Sequence, residues 1–556
     1  MKKMKYRIGI IGMMLLYNVT MILFSLSFKL ITDSLTSSVF SLFYRYIVIT
    51  IIIVITQVVS YNFYIRLKNL YIQKSIQEIK IKIIEKLFAK KITEFHKKDT
   101  SEYISFLFND LNMYEDNFIS GKIELMEKIS LFIMAALGII YVYPPFLIIV
   151  LAVVGVAIFI PSFLSKKAAF YNDVLCRDNT ETMGKLTEMF SGFNIIKAFS
   201  YGKGAAFECN EKIVTLEGDK KNCRNYMVFI QSFLMFLTTF LTLLVFILGG
   251  YLVIKNTLTV GALFALIQLL FYVTNPVIGV LTSVSKIKSV NTIREKMEQL
   301  FDDNCDRVGE NLTFNHNIIA QNLCYKYENS EDYAVDNFNY TFLKGKKYLL
   351  VGENGSGKST LIKLMAGLIP KERYTGKILY DDTDLEQIEE ENFWSNVSFM
   401  EQLSFLFNKS IEENINIGSN SEKSDINVKE IENILDIQKI GIQRDGGINT
   451  TGENSISGGE KQKVVFVREM KKNPLIIFAD EPDSALDINS SVNIMELFLQ
   501  SKSTCIIISH RLDEKIAVKF DEILVMDHGK LGENGTYSDL MESKGQLYHI
   551  MQSKPQ

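Results

Sequence analysis

The sequence predicts a multidomain chain: an all-α, polytopic transmembrane domain of six helices, then an α/β domain of the phosphate-loop NTPase class. Three observations carry this. Long uncharged runs all fall before about residue 286. From about Asp302 onward, short apolar runs of β type alternate with helical patterns. Within that second part, residues 352–360 read Gly-Glu-Asn-Gly-Ser-Gly-Lys-Ser-Thr and satisfy G-x-x-x-x-G-K-[ST] at every constrained position. The expected domains are therefore 1–301 and 302–556.

A chain of 556 residues is too long for one core. Apolar residues make up 48% of it, and the net charge of −3 gives no reason to expect a nucleic-acid partner. The cysteines (Cys176, Cys209, Cys223, Cys305, Cys324, Cys505) show no paired metal spacing and fall in segments expected to face the cytoplasm, where free thiols persist.

A spanning helix needs about 20 apolar residues. The uncharged runs place spans at about 8–32, 45–66, 120–142, 145–165, 225–254 and 257–285, the third and fourth separated by Tyr143-Pro144-Pro145, where prolines interrupt a helix. Lys2, Lys3, Lys5 and Arg7 precede the first run, which is too long for a secretory signal and lacks a cleavage site, so it reads as an uncleaved span. Basic residues crowd the N-terminus and the segments 66–128 and 166–224, which puts both termini in the cytoplasm. These two inner segments read as helical extensions with polar breaks at 95–100 and 200–204, either contact points for a soluble domain or solvated turns. Lys29 is the one strong charge read inside the spans. It either faces a cavity or snorkels to the interface beside Asp33. Pro276 is a candidate kink in the last span.

In the second part, the apolar run 347–351 and the helical pattern after it give the phosphate loop its strand-loop-helix setting. The glycines Gly352, Gly355 and Gly357, with Asn354 and Ser356, let backbone N–H groups close around phosphate oxygens; Lys358 reaches the outer phosphates, and Ser359, followed by Thr360, offers a hydroxyl to Mg²⁺. The strand-like run 475–479 ends in Asp480-Glu481, one carboxylate to hold Mg²⁺ and one to orient the attacking water. Between these motifs, Ile456-Ser457-Gly458-Gly459-Glu460 opens a helical pattern.

This order of motifs resembles the ATP-binding cassette (ABC) transporters. Gln402 matches that family's glutamine loop, 484–487 (Ser-Ala-Leu-Asp) its D-loop, and His510 its switch histidine, while Tyr327 falls where members stack an aromatic ring on adenine, with Tyr325 the competing candidate. Upstream, 188–199 (EMFSGFNIIKAF) and the Asn109-Asp110 region resemble inner loops of the exporter-type membrane domain. The signature departs from the usual LSGGQ: it reads ISGGE, and Glu460 brings a negative charge close to where phosphates belong.

The resemblance implies a half-transporter that dimerises with itself or with a second half-transporter in a lipid bilayer, a bacterial plasma membrane by its Ile, Lys and Asn richness. ATP would lie between the phosphate loop of one subunit and Ser457, Gly458 and Gly459 of the other. Glu481 would polarise water, His510 contact the γ-phosphate, Lys358 offset charge, and Ser359, Gln402 and Asp480 manage Mg²⁺. The expected activity is ATP-driven export of peptide, lipid or amphipathic small-molecule cargo. No peptidase domain precedes the first span, so leader trimming of a peptide cargo is expected elsewhere. Two alternatives stand beside it: an exporter-fold importer of a metal chelate such as a siderophore, and a mainly regulatory subunit of a heterodimer.

Overall fold

In the computed structural model, described for residues 2–302, 309–328, 330–402, 405–418, 428–442, 456–511 and 513–552, the chain forms two compact units. One comprises Met1–Lys86 and Thr100–Asp302, the other Leu87–Asp99 and Asp303–Gln556. Cys305 lies outside the described residues.

The first unit is helical throughout. Helices α1 (Lys2–Thr36) and α2 (Phe40–Phe88) are followed, beyond the short α3 (Ile92–Phe95), by a continuous helical run, Thr100–Val142, whose last part is α4 (Gly121–Val142). Then come α5 (Pro145–Ser191), α6 (Gly202–Ile254) and α7 (Val260–Ser289). Among the described residues five helices are long and apolar enough to cross a membrane. The expected span 145–165 lies in α5, where many of its side chains fall outside the described residues. The turn at the two prolines forms as expected. Tyr143 is extended, and Pro145 opens α5, where its missing N–H costs no helical bond. Pro276 lies buried inside α7, which continues past it.

One sequence reading in this unit needs correction, and the alternative left open for Lys29 is narrowed. Lys29 lines a cavity with Leu23, Tyr46 and Tyr141, and Asp33 does not pair with it. The Asp33 carboxylate accepts from Thr259 Oγ1 (3.1 Å) and the Gly261 amide (3.1 Å), tying the end of α1 to the start of α7, while Lys29 Nζ lies 5.9 Å from the Tyr141 ring centroid. Nor is Lys29 the one strong charge in the spans. Glu124 and Glu127 sit within α4; Glu127 accepts a 2.7 Å bond from the fully buried Tyr64 hydroxyl, and Glu124 pairs with Lys68 at 3.3 Å. Buried Asn18 joins this network through Ser130 Oγ at 2.6 Å. The charges ahead of the apolar run 129–142 read in sequence as a loop end; only the packing of α1 and α2 against α4 shows them as one polar cluster.

The second unit is built on a six-stranded sheet, order β10-β9-β3-β8-β7-β6, from β3 (Lys347–Val351), β6 (Val397–Met400), β7 (Ile476–Asp480), β8 (Thr504–Ile508), β9 (Glu522–Asp527) and β10 (Lys530–Gly535). All neighbours are parallel except β9 and β10. The strands β3, β7 and β8 are buried at every position, so their apolar runs do not alternate. Alternate residues feed opposite cores: Leu349, Ile477 and Ile507 one, Leu350, Phe478 and Ile508 the other. A separate sheet, order β2-β1-β4-β5, uses β1 (Asn317–Tyr325), β2 (Val335–Leu343), β4 (Tyr374–Tyr380) and β5 (Thr383–Asp384).

The parallel register positions the chemistry. Leu350 pairs with Ile508, Ile508 with Asp480, and Ala479 with Met400, so β3, β8, β7 and β6 end level. Residues 352–360, 402, 480–481 and 509–510 therefore emerge together at the carboxyl edge of the sheet, where open α/β sheets bind ligands.

Candidate nucleotide site

Helix α8 (Lys358–Met365) begins directly after the loop, with Gly357 as its N-cap at φ +97°. A Cβ on Gly357 would come 2.0 Å from the Ala334 carbonyl oxygen, and one on Gly352 (φ +149°) 2.3 Å from that of Met526. Both glycines are thus required by space as well as by backbone angle. Ser356 is buried, and Asn354 and Gly355 are exposed at the loop tip. Lys358 is 5% exposed, and its ammonium donates to Gly352 O (2.9 Å), Glu353 O (2.7 Å) and Ser356 Oγ (3.3 Å). Burial lowers its pKa, against the opposing pull of Glu481 and Asp480. A buried cation held mainly by carbonyls, at the open positive end of a helix, is a receptor for anionic oxygens.

Opposite it, Ser359 Oγ donates to Asp480 Oδ1 at 2.9 Å. Burial raises the Asp480 pKa, and the Ser359 bond only partly offsets this. Glu481, at φ +50°, is turned out of the strand with its N–H bonded to Ile508 O at 3.0 Å. Its carboxylate lies between Gln402 Nε2 (2.8 Å to Oε2) and His510 Nε2 (3.1 Å to Oε1). The structure thus joins Gln402 to Glu481 rather than to the Ser359–Asp480 pair. Tyr327 is half-exposed, its hydroxyl 3.0 Å from Thr360 Oγ1 and its ring edge-on to Tyr325 at 4.9 Å. Tyr325 is buried in β1, which leaves Tyr327 as the ring with a free face.

Ser457 caps helix α9 (Gly458–Lys471) in a capping box: its Oγ accepts from Glu460 N at 3.3 Å and its own N–H donates to Glu460 Oε2 at 2.8 Å. Gly458 and Gly459 press against Ala485; a Cβ on Gly459 would lie 2.8 Å from the Ala485 carbonyl oxygen. Among the described residues no hydrogen bond joins Ser457, Gly458 or Gly459 to the phosphate loop. Three residues missed in the sequence organise this region. Buried Gln462 bonds Ser484 Oγ and the Ala485 amide, both at 3.1 Å. Buried Asp483 accepts from Ser491 (3.1 Å) and Ser509 (3.0 Å), linking the turn after Glu481 to the end of the strand before His510. Arg511 donates to Leu486 O at 2.6 Å and Ser484 O at 3.2 Å. The position of Arg511 next to His510 and of Asp483 two residues after Glu481 is the available signal.

A family model described as "ABC transporter transmembrane region" matches residues 8–277, and one described as "ABC transporter" matches residues 335–484. The chain belongs to the ABC transporters. Its second unit is accordingly an ABC-type ATP-binding domain, fused in one chain to a multi-pass membrane domain. The mesentericin-Y105 transport/processing ATP-binding protein of Leuconostoc mesenteroides is 26% identical over 482 residues, covering 84% of this chain and 65% of that protein. The ATP-dependent lipid A-core flippase of Haemophilus ducreyi is 32% identical over 245 residues, 43% of this chain and 41% of the flippase. A solved structure, a bacterial Atm1-family ABC exporter with ATP bound, shares the fold at a TM-score of 0.84 and 18% identity, covering 99% of this chain and 98% of that one.

Proposed function

We propose that the chain is half of an ATP-driven exporter, with 1–301 as membrane portion and 302–556 as nucleotide-binding portion. Both termini face the cytoplasm in this reading, and the cargo is a peptide, lipid or amphipathic small molecule. The observation that carries it is the row Gln402–Glu481–His510 beside the Ser359–Asp480 pair, at the level ends of adjacent parallel strands in a chain that also holds the membrane helices.

ATP phosphates fit the cradle of 352–360, where Lys358 exchanges loop carbonyls for phosphate oxygens and Tyr327 offers its face to adenine. The Ser359 hydroxyl and Asp480 carboxylate, 2.9 Å apart, are the oxygen donors a hard cation takes. Mg²⁺ held there, with the free carbonyl of Gln402 within the same row, would supply charge neutralisation on the β- and γ-oxygens. Glu481 accepts a proton from the attacking water while Gln402 and His510 fix its carboxylate. In this reading His510, on the side of Glu481 away from Gln402, donates to the γ-phosphate. Ser457, Gly458 and Gly459, which among the described residues make no hydrogen bond to the loop of their own chain, complete in this reading the site of a second subunit in a dimer.

A second reading, a heterodimer in which this chain's signature completes a slow site, is favoured by the Glu460 carboxylate on the Ser457 amide, where a phosphate would compete. ATP turnover of the chain purified alone in lipid tests both. Robust turnover abolished by Glu481→Gln supports a homodimer and sinks the obligate heterodimer; no turnover does the reverse.

A further inference from the structure

A cavity of about 550 Å³ opens between α1, α2 and the helical run Thr100–Val142, on the side of the bundle that carries the basic residues. Its size suits an organic ligand rather than a solvent pocket. Its chemistry is two-sided. Ile10, Met14 and Ile123 give it an apolar wall, and among the described residues Arg7 and Lys122 are the only charged groups lining it. Neither cation has a carboxylate within ion-pair distance among the described residues. Arg7 donates through Nε to Tyr71 Oη at 3.0 Å, and Lys122 Nζ lies 3.9 Å from the Phe118 ring centroid. The carboxylates of the same helix are turned elsewhere, Glu124 to Lys68 and Glu127 to Tyr64. Also lining the cavity is Ser75, 7% exposed, whose hydroxyl has no hydrogen-bond partner among the described residues. A buried hydroxyl left unmatched is costly unless something fills the space beside it.

We propose that this cavity binds an anionic phospholipid of the surrounding inner leaflet, its phosphate held by Arg7 and Lys122 and the first part of an acyl chain lying along Ile10, Met14 and Ile123. Arg7 keeps four N–H donors for this, and basic pockets between helices at the cytoplasmic side recognise such headgroups. Ser75 donates to an ester or phosphate oxygen.

The test is native mass spectrometry of the full chain in detergent, without nucleotide, so that its outcome is independent of ATP-driven transport. Phosphatidylglycerol, phosphatidylcholine and inorganic phosphate are added separately. The expected result is retention of phosphatidylglycerol after exchange that strips the other two. An Arg7→Gln/Lys122→Gln double variant should lower retention about tenfold or more, Ser75→Leu should lower it by filling the cavity, and Lys122→Arg should preserve it. Equal retention of phosphatidylcholine or phosphate, or unchanged retention in the double variant, overturns the proposal. Should the double variant fail to fold, unchanged retention in Ser75→Leu overturns it alone. A cavity closed by a helix of a second copy gives no lipid-dependent difference in any variant, which is the same overturning result.

Discussion

At the scale of single residues, the proposed ATP site divides into groups that would react and groups that would aim them. Glu481 does not stand alone, because Gln402 and His510 take one carboxylate oxygen each. Glu481→Gln is expected to lower turnover by about 10²–10⁴-fold while leaving ATP binding near native, measured by turnover and nucleotide affinity on the same preparation. Gln402→Ala frees one oxygen and should lower kcat more than it raises KM. Gly357→Ala acts differently: with a left-handed backbone and a Cβ 2.0 Å from Ala334 O, the loop must move. Its expected signature is lost nucleotide binding together with a lower Tm, which separates it from a purely chemical variant.

At the scale of elements, Asp381 holds the approach to β1. Its carboxylate accepts from the backbone N–H groups of Asn315 (2.6 Å), His316 (2.8 Å) and Asn317 (2.9 Å). Burial works to raise its pKa, but these amides outweigh burial and hold it below the usual carboxylate value. Since folding lowers this pKa, the stabilisation is complete above the unfolded value of about 3.9 and fades as pH falls through the folded one. Asp381→Asn should therefore cost about 1–3 kcal/mol near pH 7 and progressively less in acid, read by denaturant melts of the full chain across pH. The sequence shows the central sheet plainly because β3, β7 and β8 are buried on both faces and read as unbroken apolar runs. The antiparallel sheet is harder to see. Strand β1 mixes Asn317, Gln321 and Asn322 among its apolar residues and shifts register between Ala320 and Leu323, so no period of two persists. The same limit explains the site: Lys358, Asp480 and Glu481 announce themselves by motif, whereas Gln462 and Asp483 matter through partners 22 and 26 residues away. Glu127 was hidden because Tyr64, its partner, lies 63 residues upstream on another helix.

At the scale of the whole molecule, the chain enters its second unit twice, since Leu87–Asp99 belongs there along with Asp303–Gln556. The anchor is specific: the Ile92 amide, at the first residue of α3, donates to Glu390 Oε1 at 2.9 Å. Glu390→Ala should leave basal ATP turnover close to native and reduce its stimulation by cargo or lipid, measured in reconstituted vesicles. Glu460→Gln tests the other end of the cycle: if the carboxylate on Ser457 competes with phosphate, turnover rises. The anchor between Ile92 and Glu390 also has a meaning for biosynthesis. The two residues are 298 apart in sequence, so at ribosomal speeds the tip of the first hairpin emerges about 15–60 s before its seat exists. During that interval Ile92–Phe95 and its flanking lysines stand open to proteases and chaperones, and ribosomes stalled before residue 390 should carry a hairpin that is cleaved there and protected only once the seat has been made.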